Sequence, residues 1–200
     1  MSTPGSVGGN EPLRLFVALR LPSSVLDAVA AWQERELGAR RGVDGWRADG
    51  RIVPRDHLHV TLAFLGSRPS RDLEDIVAAV DAAAIRTPRI ELEIERYRQT
   101  RSVGMLVLSD RSGAAAALAD DLQERLEALG VYRRENRSWL PHITVVRLPD
   151  RLRAQPPSTR VEPPLLAAFA PSDAAVFLSR LHPSGARYEV LDTRALHSLK

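Results

Sequence analysis

The sequence contains no cysteine, which excludes disulfide bonds, thiolate metal sites and a cysteine nucleophile. It also lacks any apolar run approaching the roughly 20 residues that a membrane-spanning helix needs. The first residues, 1–12, are rich in Gly, Ser and Pro and have no apolar core of a signal peptide, so we expect a flexible tail there. These absences favour a cytoplasmic protein.

Lysine is almost absent as well. Lys200 is the only lysine among the 28 basic residues, and the net charge is only +3 although the pI is about 9.9. Arginine binds phosphate through two parallel hydrogen bonds and stacks on bases better than lysine does. The arginine content therefore indicates a phosphate-bearing partner, or else a coding bias toward Arg and Ala, and composition alone does not choose between them.

Two short motifs of the same form stand out in the remainder of the chain. His59–Leu62 reads His-Val-Thr-Leu and His142–Val145 reads His-Ile-Thr-Val, each inside an apolar run that predicts a strand. Because side chains two apart leave the same face of a strand, each histidine should lie beside its threonine while the apolar residues enter a core. An imidazole next to a hydroxyl, presented twice, suits acid–base chemistry with a polar clamp.

The pattern of apolar residues predicts seven strands and three helices. The expected strands cover 13–21, 59–66, 89–97, 103–108, the second motif from His142, 174–181 and 187–191. The expected helices follow Pro22, Ser67–Ser70 and Gly113 and end near Leu37, Ile85 and Gly130. Loops are expected at 38–50 around Trp46 and at 149–164, and the last two strands should form a hairpin at Pro183–Gly185.

The predicted elements come in two similar series. The first is strand, helix, motif strand and helix, and the second is strand, helix and motif strand. This repetition indicates a duplication. We therefore predict an α+β fold with two pseudo-symmetric lobes, each a small and mainly antiparallel sheet backed by helices, with a central cleft between them. Residues 13–200 would form this single bilobal domain.

The stretches HLHVTLAFLG and PHITVVR resemble the paired HxTx signatures of the 2H phosphoesterases, most closely the LigT-like RNA 2′,3′-cyclic phosphodiesterases, also called 2′-5′ RNA ligases. The opening LRLFVALRLP and the late LSRLHPSGARYEVL are similar to the same branch, so the resemblance runs from Leu13 to Leu196. It implies hydrolysis of a terminal 2′,3′-cyclic phosphate of RNA to a 2′-phosphomonoester, without a metal or other cofactor.

The resemblance also implies roles for individual residues. His59 would donate a proton to the departing 3′ oxygen and His142 would accept a proton from the attacking water. Thr61 and Thr144 would donate hydrogen bonds to the non-bridging phosphate oxygens. From the residues alone, either histidine could be the acid or the base.

Arg147 matches the family's arginine after the second motif and would clamp the phosphate. In an ideal strand its odd spacing places it on the face opposite to His142 and Thr144, so a bulge, twist or strand end has to redirect it. A solvated surface arginine is the alternative.

Other interpretations stay open at this point. His57, His59 and His142 could hold a metal ion, and Trp139, Phe16 or Trp46 could stack on a base or simply pack in the core. His182 and His197 are expected on the surface. The partner could be RNA, a small cyclic phosphate or a 2′-5′ linkage, or the chain could be a non-catalytic module that binds RNA ends. We expect a monomer and no membrane contact.

Overall fold

The structure is a computed structural model, and it describes residues 10–38, 50–148, 161–182 and 185–196. Most of the predicted N-terminal tail, Trp46 and most of its loop, residues 149–160 of the Pro-rich segment, the turn residues 183 and 184, and His197 lie outside these ranges. No helix in the described ranges is both long and apolar enough to cross a membrane.

The described chain forms eight strands and three α-helices. The strands are β1 (Pro12–Arg20), β2 (Arg51–Ile52), β3 (His59–Pro69), β4 (Glu93–Gln99), β5 (Val103–Ser109), β6 (His142–Arg147), β7 (Asp173–Arg180) and β8 (Arg187–Ala195). The helices are α1 (Ser23–Trp32), which continues as a π-helical segment (Gln33–Gly38), α2 (Leu73–Ala84) and α3 (Ala114–Ala128). Short 3₁₀ turns cover Arg55–His57 and Ser70–Asp72.

The α+β prediction is confirmed, with differences at several element ends. The short strand β2 was not predicted, because two residues carry no periodic pattern. Strand β3 continues past Gly66 to Pro69, since Ser67, Arg68 and Pro69 pair with the start of β1. Strand β4 begins at Glu93 instead of residue 89, and β8 extends to Ala195 instead of 191.

All strand pairs are antiparallel, and the order across the sheet is β4-β5-β6-β3-β1-β7-β8, with β2 paired to β6. The middle of the chain contributes one group, β4, β5 and β6, and the other group consists of β3, β1, β7 and β8. The two groups meet at β3 and β6 through one described residue pair, Val60 with Ile143. The motif strands are thus the two innermost neighbours of the sheet.

The helices pack against one face of the sheet and leave the motif face uncovered. Leu15, Val17 and Leu19 of β1 are completely buried, and they belong to one core cluster with the apolar residues of all three helices. Burying these side chains is the main favourable term in folding. The histidine and threonine side chains of the motifs project from the opposite face, where they can meet a ligand.

Gly104 of β5 shows how closely this core is packed. A methyl group at this position would lie 2.6 Å from Cγ1 of Val146 and would collide with the hydroxyl of Tyr97. We predict that Gly104→Ala lowers the free energy of unfolding by about 1–3 kcal/mol, the usual effect of overpacking a core. Denaturant unfolding with Gly38→Ala as control measures this, because the nearest heavy atom to a Cβ at Gly38 is 3.9 Å away. Equal stability of both variants would contradict the prediction.

Candidate active site

Both motifs lie at the start of their strands, and the predicted alternation is present in each. Val60 and Leu62 of β3, like Ile143 and Val145 of β6, are buried at 2% exposure or less. The histidines and threonines between them are partly exposed. The apolar residues therefore fix each strand on the core, and the polar residues are held on the open face.

The register between β3 and β6 places the two motifs side by side. Since Val60 pairs with Ile143 in antiparallel orientation, one step along each strand sets His59 across from Thr144 and Thr61 across from His142. The two histidines are then diagonal neighbours, which in a regular antiparallel pair lie about 7–8 Å apart. A phosphate group above this square of side chains can contact both imidazoles at once.

Both imidazoles are anchored in the same way. Nδ1 of His59 lies 2.7 Å from the carbonyl oxygen of His57, and Nδ1 of His142 lies 2.8 Å from that of Leu140, two residues earlier in each case. A carbonyl oxygen can only accept, so Nδ1 carries the proton and donates it in both rings. Nε2 is left as the nitrogen that exchanges protons at the open face.

Aromatic rings surround the imidazole of His59. Phe16, Tyr188 and Phe177 have ring centroids 5.0, 5.7 and 6.0 Å from its own. The pKa of His59 is lowered to about 4, chiefly by burial of the ring and to a smaller extent by the charges of Arg147 and His142, against the raising effect of the hydrogen bond to the carbonyl of His57. Without an anion in the cleft, His59 is therefore neutral at pH 7.

A β-bulge turns Arg147 toward the histidines. Thr144 pairs with Met105 and Val146 pairs with Gly104, so Val145 is left without a partner on β5. This extra residue shifts the alternation by one, and Arg147 joins the face of His142 and Thr144. Arg147 lines one cavity with His59 and Thr61. The bulge therefore places Arg147 on the face of the motif side chains despite its odd spacing from His142 and Thr144.

Strand β3 carries the same bulge at the same place. Thr61 pairs with Ala18 and Ala63 with Val17, which leaves Leu62 without a partner on β1. The side chain turned onto the open face in this half is Phe64, which is 51% exposed. Phe64 and Arg147 thus hold equivalent positions, each five residues after its histidine. The guanidinium of Arg14 lies over the Phe64 ring, 4.9 Å from its centroid.

The open face forms two adjoining cavities that share Thr61 and Phe64. The larger, of about 700 Å³, contains His59 and Arg147 as well as Arg14, Arg51 and Arg187. None of the described residues that line it is acidic. The smaller contains His142 and Trp139. The lining of the larger cavity therefore suits an anion of more than one charge.

The structure places the remaining candidate residues as follows. Phe16 is buried beside His59, which is the packing interpretation, and Trp139 is partly buried with its Nε1–H donating to the carbonyl of Thr61 at 2.9 Å. His57 lines the larger cavity, and His182 is exposed. Within the described ranges, no three His, Asp or Glu side chains are grouped so that they could hold a metal ion.

Comparison with known proteins agrees with this geometry. The model of the 2′-5′ RNA ligase superfamily matches residues 22–183, most of the chain. The chain belongs to this superfamily. The resemblance noted from the two motifs is thereby confirmed.

Curated relatives match this chain over nearly its whole length. An RNA 2′,3′-cyclic phosphodiesterase of Thermus thermophilus is 29% identical, covering 92% of this chain and 90% of the relative, and one of Escherichia coli is 27% identical, covering 94% and 98%. The crystal structure of E. coli LigT in its apo form has a TM-score of 0.75 at 26% identity and covers 94% of this chain and 99% of its own. The bilobal LigT-like fold prediction is therefore confirmed.

The low pKa of His59 leads to a test of anion binding in the cleft. An anion between His59 and Arg147 favours the charged imidazole, so its binding should raise the pKa of His59 from about 4 by roughly one to two units. NMR titration of the imidazole proton with and without sulfate, which has no proton to exchange in this range, measures the shift. His182 serves as the internal control, and an unchanged pKa of His59 at saturating sulfate would contradict the prediction.

Proposed function

We propose that the protein hydrolyses 2′,3′-cyclic phosphates at RNA ends and leaves 2′-phosphomonoesters. The observation that carries the proposal is the square of two histidines and two threonines on β3 and β6, with Arg147 turned onto it. Further support comes from the curated relatives, which are named RNA 2′,3′-cyclic phosphodiesterase, and from E. coli LigT, which has been solved with 3′-AMP.

In the proposed reaction His142 acts as the base. Its Nδ1–H is bound to the carbonyl of Leu140, so Nε2 of the neutral ring has a free electron pair for the proton of a water molecule. The water oxygen attacks phosphorus as its proton passes to Nε2. The new P–O bond forms in line with the bond that breaks.

His59 acts as the acid. Its Nδ1–H is bound to the carbonyl of His57, and the negative charge of the bound phosphodiester favours a second proton on Nε2. The P–O3′ bond breaks, and this proton moves to the departing 3′ oxygen. The products are a free 3′-hydroxyl and a 2′-phosphate, and the two histidines have exchanged protonation states.

Thr61, Thr144 and Arg147 stabilise the charge that develops on the non-bridging oxygens. The two hydroxyls donate one hydrogen bond each from opposite corners of the square, and the guanidinium of Arg147 adds a charged donor at one end of the square. Fixed donors aimed at the developing charge need no rearrangement during the reaction, which is why they lower the barrier.

The proposal is tested with a short RNA that ends in a 2′,3′-cyclic phosphate, incubated with EDTA. We expect turnover to a 2′-phosphate, read by ³¹P NMR, and a fall in kcat of about 10²–10⁴-fold for His142→Ala, the usual loss when a general base is removed. His182→Ala is the control, because His182 is exposed and lines neither cavity.

Each other result points to a specific alternative. A 3′-phosphate product would reverse which oxygen leaves. Activity abolished by EDTA would show a need for a metal ion, although no three side chains of the described residues are grouped to hold one. Turnover of cyclic mononucleotides but not of RNA would favour a small cyclic phosphate, and reaction only with 2′-5′ linkages would favour a ligase or its reverse. Binding without turnover would leave an RNA-end-binding module.

We also propose that the substrate is an oligonucleotide. Arg14, Arg51 and Arg187 line the larger cavity beside Arg147, and one terminal phosphate does not need four guanidinium groups. Phosphates further along a strand would contact the additional arginines. Since all the site residues named above come from one chain, we propose that it acts as a monomer, and its lack of cysteine suits the cytoplasm.

This leads to a prediction on salt dependence. Each phosphate contact contributes a slope of about −0.7 to a plot of log K against log salt for a single strand. Arg187→Gln should reduce the slope by about this amount for an RNA tetramer and leave it unchanged for a cyclic mononucleotide. Arg89→Gln, an exposed position outside the cavity, is the control. Equal slopes for Arg187→Gln and wild type would contradict the role of Arg187.

A further inference from the structure

Two buried glutamines take no part in the proposed reaction; Gln33 lines neither cavity, and Gln123 lines the smaller one. Gln33, at the start of the π-helical segment after α1, is 1% exposed, and Gln123 of α3 is 7% exposed. Glutamine is seldom buried, because both ends of its amide then need partners inside the protein. Their hydrogen bonds therefore identify what they hold.

Gln33 holds the bulge of β6. Its Nε2 donates to the carbonyl oxygen of Val145 at 2.7 Å and to that of Val53 at 3.0 Å. Val145 is the residue that the bulge leaves without a partner on β5. The backbone N–H of Val53 also donates to the carbonyl of Val145 at 3.0 Å. The carbonyl of Val145 thus has two donors, the side chain of Gln33 and the backbone N–H of Val53.

Gln123 holds the bulge of β3. Its Nε2 donates to the carbonyl oxygen of Leu62 at 2.8 Å, and Leu62 is the unpartnered residue of that bulge. The arrangement is reciprocal. The helix before the first motif carries the glutamine for the second motif strand, and the helix before the second motif carries the glutamine for the first.

We propose that Gln33 and Gln123 are positioning residues that fix the two bulges, and that Gln33 thereby holds Arg147 on the phosphate. This inference rests on the proposed function, because it takes Arg147 as a ligand of the substrate phosphate. Gln123 fixes the bulge of β3 and thereby holds Phe64 on the open face of the sheet. Gln33 lines neither cavity, and Gln123 lines the smaller one; each would act through the side chain that its bulge turns outward.

The physical reason lies in the bulge itself. An extra residue interrupts the ladder of hydrogen bonds with the partner strand, so its backbone carbonyl needs donors from elsewhere. If the donor of Gln33 is removed, the carbonyl of Val53 loses its side-chain partner and that of Val145 keeps only the N–H of Val53. The strand can then relax toward regular pairing, which would turn Arg147 away from Thr144.

The test is a double-mutant cycle with Gln33→Met and Arg147→Ala, measured as kcat/KM on an RNA dinucleotide with a terminal 2′,3′-cyclic phosphate. Methionine keeps the volume of glutamine and removes both donors. If Gln33 acts through Arg147, Gln33→Met should lower kcat/KM about tenfold in the wild type and less than about twofold in the Arg147→Ala background. Gln33→Met should also weaken inhibition by sulfate.

Gln123→Met is the matched control, since it removes the same group from the other bulge. Its effect on kcat/KM should be equal with and without Arg147, and it should leave sulfate inhibition unchanged. Thermal unfolding of every variant ensures that the assays are run on folded protein. A purely structural role of Gln33 would lower activity by the same factor in both backgrounds.

The outcomes separate this inference from the proposed function. Equal effects of Gln33→Met in both backgrounds, or no effect in either, would overturn the positioning role while hydrolysis and its dependence on His142 remain. If Arg147→Ala leaves kcat/KM unchanged, both the phosphate clamp by Arg147 and the positioning role of Gln33 would be refuted. If Gln33→Met does not fold, Gln33→Glu replaces it in the same cycle, because a buried neutral carboxyl keeps one donor. The same dependence on Arg147 is then expected, with a smaller loss.

Discussion

One backbone pairing, between Val60 and Ile143, determines the relation of the two halves of the sheet in the described structure. The placement of His59 opposite Thr144, and of Thr61 opposite His142, depends on this register. A slip by one residue would turn one motif into the core and expose its apolar partners, so burial of Val60 and Ile143 at 0% exposure holds the register in place. The apolar residues of the motifs are thus as necessary to the site as the polar ones.

Burial and positive charge act together on His59 in this cleft. Aromatic rings around His59 disfavour its charged form, and arginines along the larger cavity act in the same direction. An anion reverses both effects, because it compensates the guanidinium charges and favours a protonated imidazole. Without a bound anion, His59 is therefore neutral within a positive field. In the proposed reaction it becomes an acid only when the phosphate is bound.

Alternation within the motif strands made part of the site predictable. Side chains two apart share a face, so the sequence alone placed His59 with Thr61 and His142 with Thr144. The side on which Arg147 lies was not predictable in this way, because a bulge depends on the partner strand: only the pairing of Gly104 and Met105 with β6 reveals it.

The glutamines were missed for a related reason. A polar residue in a helix is usually solvated, and their partners, the carbonyls of Leu62 and Val145, are distant in sequence. A signal was nevertheless present. Gln33 follows Trp32, four residues after Val29, and Gln123 lies between Leu122 and Leu126, so both interrupt the apolar stripe of a helix.

The equivalence of Phe64 and Arg147 has a consequence for stereochemistry. Two His-Thr pairs related by approximate two-fold symmetry would accept a substrate equally well in either of two opposed orientations. The same bulge delivers an apolar ring on one side and a guanidinium on the other, and this difference breaks the degeneracy. In the proposed reaction, Phe64 and Arg147 would then decide which ribose oxygen faces which imidazole, so regioselectivity and proton transfer would depend on different residues and could change independently.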